Sequence, residues 1–294
     1  MKNKRKWAAP AVAALAVVGT AVAVMPGSDG SRSAAGDPPA SASKPVVAAD
    51  AGNPEDPASW KLPIEAYLPT KAEARLISVS RDEAIKHCMA KAGFPDWKPA
   101  PDLPAVGGET LTDWRYGIHD LAQAKANGYH PDPTSQADYD AALDADESMD
   151  ADQDTLRGCA SQTDEAGVSV QQSPLVDQIT GSSYQLSTET AAVKNVFAQW
   201  SACMKDKGYT YSKPLDASEH FSAGVDGISA AEKQTAVADV ECRDQYHVEK
   251  TWFEAEAAIQ EKAVARRLED LNYQKAAIKS AVAKARATSQ EAAR

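Results

Sequence analysis

The chain carries one pattern twice. Cys88-Met89-Ala90-Lys91-Ala92-Gly93-Phe94 returns as Cys203-Met204-Lys205-Asp206-Lys207-Gly208-Tyr209, and both copies then place Lys-Pro at the same distance, Lys98-Pro99 and Lys213-Pro214. The shared form is C-M-x3-G-[FY]-x3-K-P. Each copy reads as the last turns of a helix that stops at a glycine, with an aromatic residue folding back beyond the stop. Each is also followed by one later cysteine, Cys159 and Cys242, which accounts for all four cysteines in the chain. Three pairings are open to four cysteines. The repeat selects Cys88 with Cys159 and Cys203 with Cys242, because each copy then closes on itself. Loop entropy assigns each bridge roughly 4 kcal/mol. No C-x-x-C is present for redox work, and four isolated cysteines lack zinc-ligand spacing.

Paired cysteines belong to an oxidising compartment, and the N-terminus agrees. Met1 to Lys6 is basic, Trp7 to Met25 is uncharged, and Ala21-Val22-Ala23 supplies a small-x-small cleavage pattern. Residues 1–25 are therefore expected to be a signal peptide or a signal anchor. No cysteine follows them to carry a lipid. Residues 26–59, rich in Ser, Ala, Gly, Pro and Asp, are expected to be a disordered linker. The formal charge of -11 argues against nucleic acid as a partner. Membrane contact is expected only through the N-terminal segment.

The rest reads as mainly α: a first helical unit with an aromatic insertion at 60–168, a second helical unit at 169–261, and a basic helical tail at 262–294. Trp60 to Pro69 reads as an extended approach. Thr70-x-x-Glu73 and Ser80-x-x-Glu83 each have capping-box form, so a helix is expected to start at Arg81, with Val79 as its staple. Residues 161–173 read as a linker. The second main helix is expected to start at Ser187 or Thr188. Val193, Val196, Phe197, Trp200, Cys203 and Met204 make its buried stripe. A last helix opens at Ser229 and is expected to run unbroken to near Ala287, since it contains no Pro or Gly. Beyond Cys242 its apolar stripe needs a partner: this chain, a second copy in self-association, or another protein.

The insertion between Phe94 and Pro133 is dense in aromatics and has no counterpart in the second copy. Trp97, Trp114, Arg115, Tyr116 and Tyr129 are the ligand-binding candidates. They either pack over the first helix pair or form a stacking platform for a sugar or peptide. The acidic run from Asp138 to Asp154 invites calcium but fails the loop test. Counting from Asp144 or Asp150 puts Met149 or Thr155 where a Gly is needed, and Thr155 or Ser161 where the Glu belongs. His87, His119, His130, His220 and His247 form no metal spacing, and no P-loop, G-x-G-x-x-G or G-x-S-x-G occurs. No metal, cofactor or catalytic residue is expected.

With the doubled C-M-x3-G-[FY] motif, the paired later cysteines and Arg115-Tyr116-Gly117-Ile118 in view, the chain resembles uncharacterised exported proteins of high-GC Gram-positive actinobacteria. The resemblance covers about Leu76 to Trp252 and implies an extracytoplasmic, mainly helical protein. The expected function is non-catalytic interaction or structural work in the cell envelope, with an envelope protein or cell-wall polymer as partner. The alternatives are a cell-wall glycan or peptide binding module and an envelope hydrolase. The hydrolase requires a cleft where a His and a carboxylate converge.

Overall fold

Both copies of the motif end in the same backbone device. In the computed structural model, Gly93 and Gly208 take φ of 98° and 93°. Phe94 and Tyr209 each donate their amide to a methionine carbonyl, Met89 and Met204, at 2.9 Å, while the glycine amides reach Ala90 and Lys205 at 3.2 and 3.0 Å. These are Schellman closures, and the methionine whose carbonyl accepts is fully buried in both. The motif is thus a helix C-terminus tied to a core residue. The bridges are Cys88–Cys159 and Cys203–Cys242, with Cα–Cα distances of 5.6 and 5.8 Å.

The structure describes residues 49, 53, 56–146, 148, 152–171, 173–222 and 227–292. The signal segment and most of the linker lie outside them. The linker's last residues are ordered: Asp56 caps a 3-10 turn, η1 (Pro57–Ser59). Trp60 to Pro69 is not extended. Its centre is a second 3-10 turn, η2 (Pro63–Tyr67), and Trp60, Leu62, Ile64 and Tyr67 are at most 3 % exposed. Ten α-helices follow among the described residues, with no strand: α1 (Lys71–Lys91), α2 (Leu121–Asn127), α3 (Pro133–Asp144), α4 (Gln153–Glu165), α5 (Pro174–Thr188), α6 (Ala191–Asp206), α7 (Pro214–Ser222), α8 (Ala230–Tyr246), α9 (Val248–Arg266) and α10 (Leu268–Ala292).

Several boundaries differ from the sequence reading, each for a local reason. Helix α1 starts once, at the Thr70–Glu73 capping box. Ser80 is buried mid-helix, where its hydroxyl donates to the Ala285 carbonyl at 2.9 Å, and Val79 is exposed rather than stapled. Gly158 lies inside α4, so the linker there is only a short turn. Helix α5 occupies residues between the expected linker and the expected helix start, to which no element had been assigned; Ser173 caps it with Pro174 in its first turn. Thr190, not Ser187 or Thr188, caps α6. The buried stripe of α6 is as expected.

The long last helix is three helices. Its first break is at His247, left-handed at φ 50° and ψ 46°. No glycine or proline makes that corner. Arg243 in the last turn of α8 donates to Glu249 in the first turn of α9 at 3.0 Å. Each charge sits at the helix end whose dipole favours it, so the ion pair clamps the bend. The second break, at Arg267, is flanked by an Arg267–Asp270 bond of 2.8 Å.

Helix α9 is the axis of the main core. It packs against α5, α6, α8, α10 and η2, and Trp252, Phe253, Ala257 and Val264 meet Trp60, Tyr67, Tyr116, Phe197 and Trp200 there. Helix α10 turns back along α1. Ile278, Ala281, Val282 and Ala285 bury against Ile77 and Val168. The stripe that needed a partner finds it in the same chain. The Cys88–Cys159 bridge forms a separate small core with Ile85, Met89 and Trp97.

Candidate functional site

The insertion's aromatic and cationic residues converge on buried polar groups of α5, α8 and α9. Arg115 grips Glu256 with two bonds, Nε to Oε2 at 2.9 Å and Nη2 to Oε1 at 2.6 Å. Such fork-to-carboxylate pairing is the strongest and most directional of ion pairs. The Tyr116 hydroxyl adds a bond to Oε2 at 2.9 Å, and Ser183 and Gln260 each donate to Oε1 at 3.0 Å. Gln260 also accepts the Ile64 amide at 3.2 Å. Glu256 is fully buried with five donors around it.

A second cluster surrounds Arg243. It donates to Asp239 at 2.5 Å, to the Tyr116 carbonyl at 2.5 Å and to Glu249 at 3.0 Å. Trp200 and Tyr129 donate to the two oxygens of Asp239 at 2.8 and 3.1 Å. One guanidinium thus serves two buried carboxylates. Burial pushes both the Asp239 and Glu249 carboxyls above their ordinary range, and the Arg243 charge only partly offsets this. Burial likewise raises the Tyr116 and Tyr129 phenols, so both stay protonated donors. Gly117 has φ 114°, and a Cβ there would meet Arg243 at 2.5 Å. The Arg115–Ile118 motif is therefore a seam: Arg115 on α9, Tyr116 between both clusters, Gly117 against Arg243, and Ile118 buried on α8.

Of the five ligand-binding candidates, the structure brings Arg115, Tyr116 and Tyr129 into these clusters. Trp97 lies apart at the first disulfide, donating to the Ser148 carbonyl at 3.0 Å. Trp114 is half-buried, with left-handed φ of 56°, against Gly107 and the Ile118 cluster. A stacking platform needs an open ring face. Tyr116 is 1 % exposed and offers none. Two carboxylates of the acidic run accept local backbone amides: Asp146 that of Ser148 and Asp152 that of Thr155, both at 2.8 Å.

Two clefts carry chemistry of their own. The first, about 490 Å³, lies among α5, α6, α7 and α9, with Tyr184, Phe197 and Leu215 on its floor and Lys194, Lys213, Glu189 and Asp216 on its rim. Lys213 belongs to the second motif's Lys-Pro, whose Pro214 begins α7. Burial lifts the Tyr184 phenol to about 12, which keeps it a neutral donor. The second cleft, about 380 Å³, holds His119, Asp244, His247 and Lys250 beside Trp60. His119 Nε2 is 2.7 Å from Asp113 Oδ1. The nearby hydroxyls of Thr110 and Thr112 donate to the Ala58 and Trp60 carbonyls, so neither is paired with His119.

The polar residues at the seam escape a reading of apolar periodicity. Glu249, Glu256 and Gln260 are buried while the apolar Ile259 beside them is only partly so. The available signal was the adjacency of Trp252 and Phe253, which widens the inner face enough to include positions four and seven residues away. No known family, curated protein or solved structure matches the chain.

Proposed function

We propose that this is a non-catalytic interaction protein of the cell envelope, akin to the exported actinobacterial proteins that its doubled motif resembles, and that it binds a peptide segment of an envelope partner. Two disulfides fit an oxidising, extracytoplasmic setting. Among the described residues no helix is long and apolar enough to cross a membrane. The observation that carries the reading is the groove among α5, α6, α7 and α9. Its apolar floor and a rim bearing both lysines and carboxylates suit a chain with apolar side chains and charges of either sign. Lys194 is paired with Glu189 at 2.7 Å, and the three carboxylates of the lining, Glu189, Asp216 and Glu219, outnumber its two lysines, which disfavours a uniformly anionic polymer.

Ala198 is exposed and lines this groove, so Ala198→Trp fills it without touching the core. Co-sedimentation with isolated envelope material is compared for the full chain and this variant. Loss of retention is expected. Equal retention rejects the groove, and no retention by either chain rejects the binding role.

One observation favours a second reading. The His119–Asp113 pair beside a polar cleft is the constellation an envelope hydrolase requires. Release of soluble fragments from cell-wall material that disappears in His119→Ala supports that reading. Release that persists in the variant, or no release at all, rejects it.

A further inference from the structure

The two disulfides sit in opposite surroundings. Cys203 and Cys242 are 8 % and 0 % exposed within the main core. Cys88, by contrast, is half-buried and lines an open cleft of about 490 Å³ with His87, Lys91, Gln162 and Val168. Its sulfur lies 3.8 Å from the Gln162 side-chain oxygen at the cleft wall, while its partner Cys159 is 3 % exposed in the small core behind it. One sulfur of this bridge faces solvent and the other faces the protein.

We propose that Cys88 Sγ is a thiol-exchange site, through which an external dithiol opens the Cys88–Cys159 bridge in the folded protein while Cys203–Cys242 stays closed. A thiolate entering the cleft forms a bond to Cys88 Sγ. The bonding pair of the old S–S bond passes to Cys159 Sγ, which takes up a proton. The dithiol's second sulfur then displaces Cys88 from the mixed disulfide, and Cys88 takes up the second proton. The bridge gains two electrons and two protons, and the dithiol becomes a disulfide. Exchange of this kind follows access to the attacked sulfur and a cationic surrounding for the attacking anion. The cleft supplies both, since Lys91 follows Cys88 by three residues and shares its face of α1. The consequence is local: α4 loses its covalent tie to α1, while the motif and bridge in the main core remain.

The test uses the native full chain and dithiothreitol. Samples are quenched with an alkylating label at intervals, and labelled cysteines are read by peptide mass. Cys88 and Cys159 are expected to label together at least about tenfold faster than Cys203 and Cys242, at a rate proportional to reductant. Lys91→Glu, an exposed change, is expected to slow that first phase several-fold. Simultaneous labelling of all four cysteines, earlier labelling of Cys203 and Cys242, or a rate independent of reductant would overturn the proposal, as would an unchanged first phase in Lys91→Glu.

Discussion

Removing the Glu256 carboxylate takes an acceptor from several buried donors at once. Glu256→Ala leaves Arg115, itself only 13 % exposed, without its counter-charge, and removes an acceptor of Tyr116, Ser183 and Gln260, of which Ser183 keeps the Thr180 carbonyl at 3.2 Å. Breaking a buried ion pair from one side costs roughly 3–5 kcal/mol. The stranded neutral donors push toward the upper end of that range, although Gln260 and Ser183 still bond one another at 2.9 Å. Arg115→Met leaves the carboxylate with three donors, so its cost is smaller, roughly 2–3 kcal/mol. In the double variant the uncompensated charges vanish together. Its loss should therefore fall short of the summed single losses by at least about 2 kcal/mol. Urea unfolding of the disulfide-intact chain, followed by tryptophan fluorescence with the slope checked for constancy, measures all three. Additivity within about 0.5 kcal/mol would refute the account of Glu256 as the hub of one coupled network.

Gly117→Ala should cost about 3 kcal/mol or more, since φ 114° is strained for alanine and its Cβ displaces buried Arg243. Gly208→Ala, with φ 93° and open space around it, should cost only about 1 kcal/mol; equal losses in urea titrations would discredit the Arg243 contact. Truncation after Lys262 removes Leu271, Ile278 and Val282 from their sites on the core and on α1, a loss on the order of 5 kcal/mol. A melting temperature unchanged by that truncation would show that α10 does not pack as described. The raised Glu249 carboxyl contributes pH dependence of a definite sign. Between the ordinary carboxylate pKa of about 4 and its own raised value, the folded state holds a proton that the unfolded state has released, so stability falls as pH rises through that window. Glu249→Gln should flatten that part of the profile, and an unaltered slope would contradict the assignment.

Much of the frame was legible because it rests on apolar spacing and turn chemistry. The Gly93 and Gly208 stops, both cysteine pairings and the α6 stripe from Val193 to Met204 follow from residue types at fixed offsets. What escaped has a common cause. Helix α5 turns Ser183 and Ser187 inward, where the Ser187 hydroxyl accepts the Trp252 indole N–H at 2.7 Å, so its core face shows only a broken apolar stripe. Helices α8 and α9 part at His247 through a clamp of Arg243 on Glu249, and neither residue type announces a break. Spacing locates apolar faces; it is silent on polar side chains whose partners lie far along the chain, as Arg115 and Glu256 do at a separation of 141 residues.

That silence explains why the insertion looked like a recognition surface. A segment holding two Trp, two Tyr, two His and one Arg, absent from the second copy, has the composition of a binding site. It also has the composition of a closing piece for a core that carries charge. The second copy's α8 and α9 bury Asp239, Arg243, Glu249 and Glu256, a set that water must either reach or be replaced around. Arg115 supplies the cation that Glu256 needs, the Tyr116 carbonyl accepts a hydrogen bond from Arg243, and the Tyr129 hydroxyl completes Asp239. Helix α2 then lies along α8, with Ile118 and Ala124 on Ala236 and Val240. The two copies are therefore not independent modules joined by a decorated loop. The first copy's insertion satisfies the second copy's buried charges.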